Sequence, residues 1–131
     1  MIMKNYGFIR TAVAVPAVRI ADTEYNAAEI CRLAGEAFDK EVSLVVFPEL
    51  SLTGYSCGDL FAMNPLVKGA EDGIRKILEF SRGKAMTIVV GAPVSYRSRL
   101  YDCAVVIRNG NVKGIVPKTY IPSSDIRWFS S

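Results

Sequence analysis

The stretch Leu44-Val45-Val46-Phe47-Pro48-Glu49-Leu50-Ser51-Leu52-Thr53-Gly54-Tyr55 decides how the rest of the chain is read. Four apolar residues lead into a proline, and a carboxylate follows at once. A short, unbroken, Val-rich apolar run suits a strand buried on both faces of its sheet. Proline has no N–H to give to a ladder, so pairing should stop at Phe47 or Pro48. Glu49 is thereby placed where an interior strand leaves its sheet, the end at which open α/β layers bind ligands. The plainer alternative is a solvated loop charge.

Upstream, Phe8 to Val15 alternates and is rich in β-branched residues, which predicts a first strand. Lys4 and Arg10 bracket its start, but the apolar run is short, is interrupted by Pro16 and lacks a clear cleavage site, so it reads as a strand rather than a leader. Asp22 or Thr23 can cap a helix from about Glu24 to Lys40, with Ala27, Ile30, Cys31, Ala34, Ala37 and Phe38 on its apolar side. Downstream, Ser51 to Met63 has no sustained period and forms a long irregular connection of the kind that is usually functional or mobile. Asn64-Pro65 then reads as a cap with proline in the first helical position, and Leu66, Ala70, Ile74, Ile77 and Leu78 form the apolar face of a second helix that Gly83 ends.

Met86 to Val90 is a third strand, closed by Gly91-Ala92-Pro93. Leu100 to Ile107 and Val112 to Val116 flank Arg108-Asn109-Gly110-Asn111, and Asn-Gly between two strand-like runs is the strongest short hairpin signal. The order β-α-β-α-β-β-β predicts an α/β fold, a mixed sheet with helices on one face and the other face left for a second layer. The last strand runs into Pro117-Lys118, repeating the arrangement at Glu49. The tail from Thr119 to Ser131 shows no periodicity and nothing that closes a layer.

Composition narrows the chemistry. The chain of 131 residues is long enough for one domain at most, and with half its residues apolar and 22% charged it is globular. Its net charge of +3 is dispersed, with no basic run, so nucleic acid is not an expected partner. No apolar stretch approaches the roughly 20 residues of a membrane helix. Histidine is absent, which removes Ser-His-Asp and Cys-His catalysis and His-based metal sites. Three cysteines without a CxxC pair suggest a reduced, cytoplasmic compartment. Base chemistry is left to carboxylate, lysine, tyrosine or thiolate. Glu49 and Lys118, each just past a proline that ends a strand, can converge at one rim as base and electrophile, or form an ordinary ion pair.

Phe47-Pro48-Glu49-Leu50-Ser51-Leu52-Thr53-Gly54-Tyr55-Ser56-Cys57-Gly58-Asp59-Leu60-Phe61 resembles the segment around the catalytic glutamate of nitrilase-type (carbon–nitrogen hydrolase) domains. Its longer form, through Gly-Tyr-Ser-Cys-Gly-Asp-Leu-Phe, is similar to that of the glutaminase domains of bacterial glutamine-dependent NAD+ synthetases. Arg10 to Pro16, Gly91-Ala92-Pro93 and the Asn109-Gly110 hairpin leading to Lys118 are similar too. The resemblance implies part of an α-β-β-α sandwich over residues 1–131 and a Glu-Lys-Cys triad. Glu49 matches the general base, Lys118 the stabiliser of the tetrahedral intermediate, and Tyr55 a residue lining the glutamine pocket. It further implies attack of a cysteine thiolate on the glutamine amide, no cofactor in this domain, and ammonia passed to a synthetase domain of the same polypeptide that uses ATP and Mg2+. A homo-oligomer is expected.

The departures are equally specific. The family's nucleophilic cysteine ends a further strand beyond the lysine, and none of Cys31, Cys57 and Cys103 matches it. The expectation is therefore a glutaminase domain truncated before its nucleophile and inactive alone. Ser123-Ser124-Asp125-Ile126 also stands where the family carries a Tyr- and Phe-containing stretch before Arg127-Trp128-Phe129. Two rival readings are a nitrilase-family amidase or carbamoylase, and a non-catalytic oligomerisation module. A flavodoxin-like binding domain is disfavoured because no phosphate loop occurs.

Overall fold

The computed structural model describes residues 6–131; Lys4 lies outside them. Five strands and two helices follow in the expected order: β1 (Thr11–Val13), α1 (Thr23–Asp39), β2 (Leu44–Val46), α2 (Asn64–Ser81), β3 (Thr87–Tyr96), β4 (Arg99–Arg108) and β5 (Asn111–Pro117), with a short 3-10 turn at Gly58–Ala62 before α2. The sheet order is β1-β2-β3-β4-β5. The pairs β1–β2 and β2–β3 are parallel, and β3–β4 and β4–β5 antiparallel. Parallel neighbours need a crossover of a dozen residues or more, which α1 and α2 supply, whereas tight turns suffice for the last three strands.

Alternation sorts the two faces. Val45, Ile88, Val90, Ala92, Val105 and Ile107 point to one side and are buried against Ala27, Ile30, Ala34 and Ala37 of α1 and Ile77 of α2. Both helices therefore cover the same face, as the sequence predicts. On the other face Val13 is 84% and Val116 60% exposed. Asp22 is the cap of α1, its side chain accepting the Tyr25 N–H at 3.0 Å.

Several boundaries differ from expectation for identifiable reasons. Regular pairing in β1 covers only Thr11–Val13, matching the three residues of its partner β2, although Ser43 N–H still reaches Arg10 C=O and Ala14 N–H reaches Val46 C=O. Met63, extended and without a side-chain bond, precedes α2 where Asn64 was expected to cap it. The strand from Thr87 does not close at Gly91-Ala92-Pro93 but runs through to Tyr96. β2 ends opposite Val89, so Pro93 lies where no strand flanks β3 on that side, and its missing N–H costs no ladder bond. The two-residue turn after β3 uses Arg97 and Ser98, both at positive φ, without a glycine to advertise it. The Asn109-Gly110 turn takes the same left-handed pair of conformations, as its sequence predicts.

The tail also departs from its reading. Phe129 is buried in a second apolar cluster with Leu50, Cys57, Phe61 and Leu66, its ring edge-on to Phe61 at 4.9 Å. Ser130 N–H binds Leu100 C=O at 2.8 Å, anchoring the chain end to β4. Hydrophobic contact with no sequence period to reveal it fixes this segment.

Candidate active site

Glu49 is held by its backbone neighbours rather than by a regular element. Phe47 N–H binds Val89 C=O at 2.9 Å, which keeps the chain on β3 up to the proline. A tight turn follows, with Ser51 N–H on Pro48 C=O, and Leu50 adopts φ +52 while its side chain is buried. A left-handed leucine costs roughly 1–2 kcal/mol, which its burial in the second cluster offsets. The turn lies directly on Gly91: a Cβ there would stand 2.2 Å from Leu50 N and 2.6 Å from Pro48 O. The Gly91 N–H reaches Ser51 Oγ at 3.1 Å, and Leu52 N–H reaches Gly91 C=O. Gly91 is thus the floor on which the glutamate turn is built.

Asn26, fully buried on α1, secures the far end of the same turn. Its amide donates to Arg19 C=O at 2.8 Å and Leu52 C=O at 3.0 Å, and accepts from Arg19 N–H. Asn26 lies on the apolar stripe of α1, four residues before Ile30, but nothing in that spacing says what a polar residue there would bind. Only its burial identifies it.

Lys118 arrives from the opposite end of the sheet order. β5 pairs with β4 through Cys103↔Pro117, and Lys118 N–H then donates to Asp102 C=O at 2.8 Å. Its Nζ donates to Glu49 Oε1 at 2.5 Å. The two residues that sequence spacing singled out, 69 positions apart, therefore meet in one place. Both are partly exposed, in an open cavity of about 300 Å³ on the uncovered face of the sheet. The neighbouring Asp102 carboxyl, and then Lys118, hold the Glu49 carboxyl below its ordinary range, while its bond to Glu49 raises Lys118. The pair is a carboxylate and an ammonium at neutral pH.

Asp102 is the site residue that the sequence reading missed. It lies inside β4, is 5% exposed, and lines the same cavity. Burial, reinforced by the Glu49 carboxyl against it, pushes Asp102 up to about 7. Its signal was available: a lone carboxylate inside the strand-like run from Leu100 to Ile107 is expensive unless partnered.

Tyr55 borders the site rather than lining this cavity. It faces a neighbouring hollow of about 270 Å³ shared with Phe61, Asp125 and Trp128, and donates its hydroxyl to Asp125 Oδ2 at 2.5 Å. That bond raises Tyr55, on which the charges of Glu49 and Lys118 also act.

None of the three cysteines is placed as a nucleophile. Cys31 lies along α1 and Cys57 is buried with its Sγ on Thr53 C=O and Gly54 C=O; burial raises both thiols. Cys103 alternates with Asp102 onto the other face of β4, and burial pushes it to about 11. All three are protonated, inert thiols at neutral pH. Among the described residues no group of three His, Cys, Asp or Glu side chains could hold a metal ion, and no helix is long and apolar enough to cross a membrane.

Comparisons with known proteins agree with this geometry. The family described as Carbon-nitrogen hydrolase matches residues 10–128. The glutamine-dependent NAD(+) synthetase of Mycobacterium leprae is 40% identical over 119 residues, which is 91% of this chain and 18% of that protein. A glutamine-dependent NAD(+) synthetase from Cytophaga hutchinsonii superimposes with a TM-score of 0.88 at 28% identity, over 94% of this chain and 22% of that one. An amidase from Nesterenkonia sp. shares the fold, with a TM-score of 0.79 at 20% identity, over 93% of this chain and 47% of its own. The chain thus spans about a fifth of the length of the synthetases it matches. An interior strand that releases a glutamate at a proline, an edge strand that releases a lysine to meet it, and a match over nearly the whole chain place this protein in the carbon–nitrogen hydrolase family.

Proposed function

We propose that the site takes part in hydrolysing the side-chain amide of glutamine, supplying ammonia to a synthetase domain of the same polypeptide. The contact of Glu49 with Lys118 at 2.5 Å carries this reading. The synthetases named above support the choice of glutamine, since the matched region is part of each. Glu49, held ionised, takes the proton of a thiol as the sulfur attacks the amide carbon. Lys118 donates to the oxygen on which negative charge develops. Glu49 then returns the proton to the departing nitrogen, which leaves as ammonia, and the γ-glutamyl thioester remains for water to cleave. Tyr55 borders the pocket for the amino acid. The thiol is none of Cys31, Cys57 and Cys103, so these 131 residues alone are expected not to turn over glutamine.

In this reading ATP and Mg2+ serve the synthetase domain and not Glu49, and the protein works in the cytoplasm. The exposed apolar face with Val13 and Val116 supports a homo-oligomer. Titration calorimetry of the chain against glutamine and against acetamide, with ammonia followed in parallel, tests the proposal. Saturable glutamine binding that Lys118→Ala abolishes, without ammonia release, is the expected result. Binding of acetamide but not glutamine would favour an amidase. Ammonia release that Cys57→Ser abolishes would overturn the exclusion of the resident thiols.

A further inference from the structure

Asp102 presents a charge problem that the Glu49–Lys118 pair does not solve. Its side chain shares the uncovered face of β4 with Ala104 and Val106, and it is far more buried than Glu49, whose side chain is 40% exposed. Two carboxylates and one ammonium share one cavity. The single cation is committed to Glu49 Oε1. The remaining charge that acts on Asp102, Asp125 of the tail, is negative, and Tyr55 beyond it donates to Asp125 instead. Cys103, next along the strand, faces the other side. An ionised Asp102 would therefore be a buried anion facing two more, and a shared proton removes that cost.

We propose that Asp102 is a positioning residue for Glu49: a neutral carboxylic acid on β4 whose O–H donates to the Glu49 carboxylate and fixes it toward Lys118. The arrangement holds one proton between two carboxyl groups and leaves the three-residue cluster neutral overall. The directions in which the two carboxyls shift, Glu49 down and Asp102 up, match a donor acid against an acceptor carboxylate. As pH rises through neutrality Asp102 ionises, a second negative charge enters the cavity, and Glu49 loses the donor that orients it. The benefit to catalysis rests on the amide-hydrolysis reading; the shared proton does not, and is measurable without substrate.

Carboxyl carbon-13 NMR titration of the whole chain tests this, using the wild type, Asp102→Asn and Glu49→Gln. In the wild type Asp102 is expected to titrate at least about two pH units above an exposed aspartate, a hundredfold in proton affinity, and the Glu49 signal should inflect at the same pH. In Asp102→Asn that second inflection vanishes, while Glu49 still titrates below its ordinary range because the amide still donates to it. In Glu49→Gln, Asp102 titrates at lower pH than in the wild type, since the facing negative charge is gone. Titration of Asp102 in the ordinary carboxylate range overturns the proposal. So does a Glu49 inflection that survives Asp102→Asn, or an Asp102 titration unmoved by Glu49→Gln, which also serves if the Asn variant does not fold.

Discussion

Glu49 and Lys118 form one contact but are held in opposite ways. The glutamate sits in a turn fixed at every residue: Phe47 on β3, Gly91 beneath Leu50, Ser51 on Gly91, and Asn26 on Leu52. The lysine follows an edge strand with most of its residues exposed, is tied by one backbone bond to Asp102, and leads into a tail where Tyr120 is 89% exposed. A base must point at one proton with little latitude, so rigid seating is useful to it. A long ammonium arm can adjust to a developing oxyanion. The comparison teaches that the fold's core is invested in the carboxylate side of the site.

Substitutions should widen or close that difference. The largest effect is expected from Gly91→Ala, whose Cβ would collide with the backbone of Pro48 to Leu50, which cannot move aside as a side chain can. A loss of about 4 kcal/mol or more in thermal unfolding is expected, or a folded protein in which Glu49 no longer contacts Lys118. Asn26→Ala comes next. It leaves the buried Leu52 C=O without its donor and frees the part-buried Arg19 N–H, while Arg19 C=O keeps Asp22 N–H, and chemical denaturation should show a loss of about 2 kcal/mol.

Asp102→Asn gives a pH-dependent effect instead of a uniform one. Asp102 binds its proton more tightly folded, at about 7, than its ordinary 3.8, so it lowers stability as pH rises from about 4 to about 7. Glu49, shifted down, works oppositely and loses its contribution as pH falls below the ordinary carboxylate range. Removing Asp102's titration should favour the variant over wild type at pH 8 relative to pH 5, by on the order of 2 kcal/mol in urea unfolding. Glu49→Gln is the mildest. The ion pair is partly exposed at both ends, so its loss should change stability by under about 1 kcal/mol even though it should abolish any chemistry at the site. A larger loss would mean that the lysine side is as firmly built as the glutamate side.

The legible parts of this molecule were those in which one residue type has one physical use. Proline marks the end of an apolar strand-like run after Phe47 and after Val116, so both site charges could be located from sequence, even though pairing of β5 continues through Pro117 to the Lys118 N–H. Asn109-Gly110 tolerates left-handed backbone, and the hairpin followed. Arg97-Ser98 makes the same turn with residues that give no such sign, because the pairing of β3 and β4 imposes it. Pro93 misled for a related reason: a proline breaks a strand only where a neighbour needs its N–H, and the length of β2 decides that.

Sequence by itself determined the element order, the helix-covered face and the two charges that end β2 and β5, since periodicity and proline act within a few residues. Tertiary structure alone decided that those charges touch, that Asp102 joins them, and that Asn26 and Gly91 carry the turn beneath. Each of these depends on what lies opposite a residue across the sheet or under a loop. Distance in space, not along the chain, sets the cost of burying a carboxylate or of adding one methyl group.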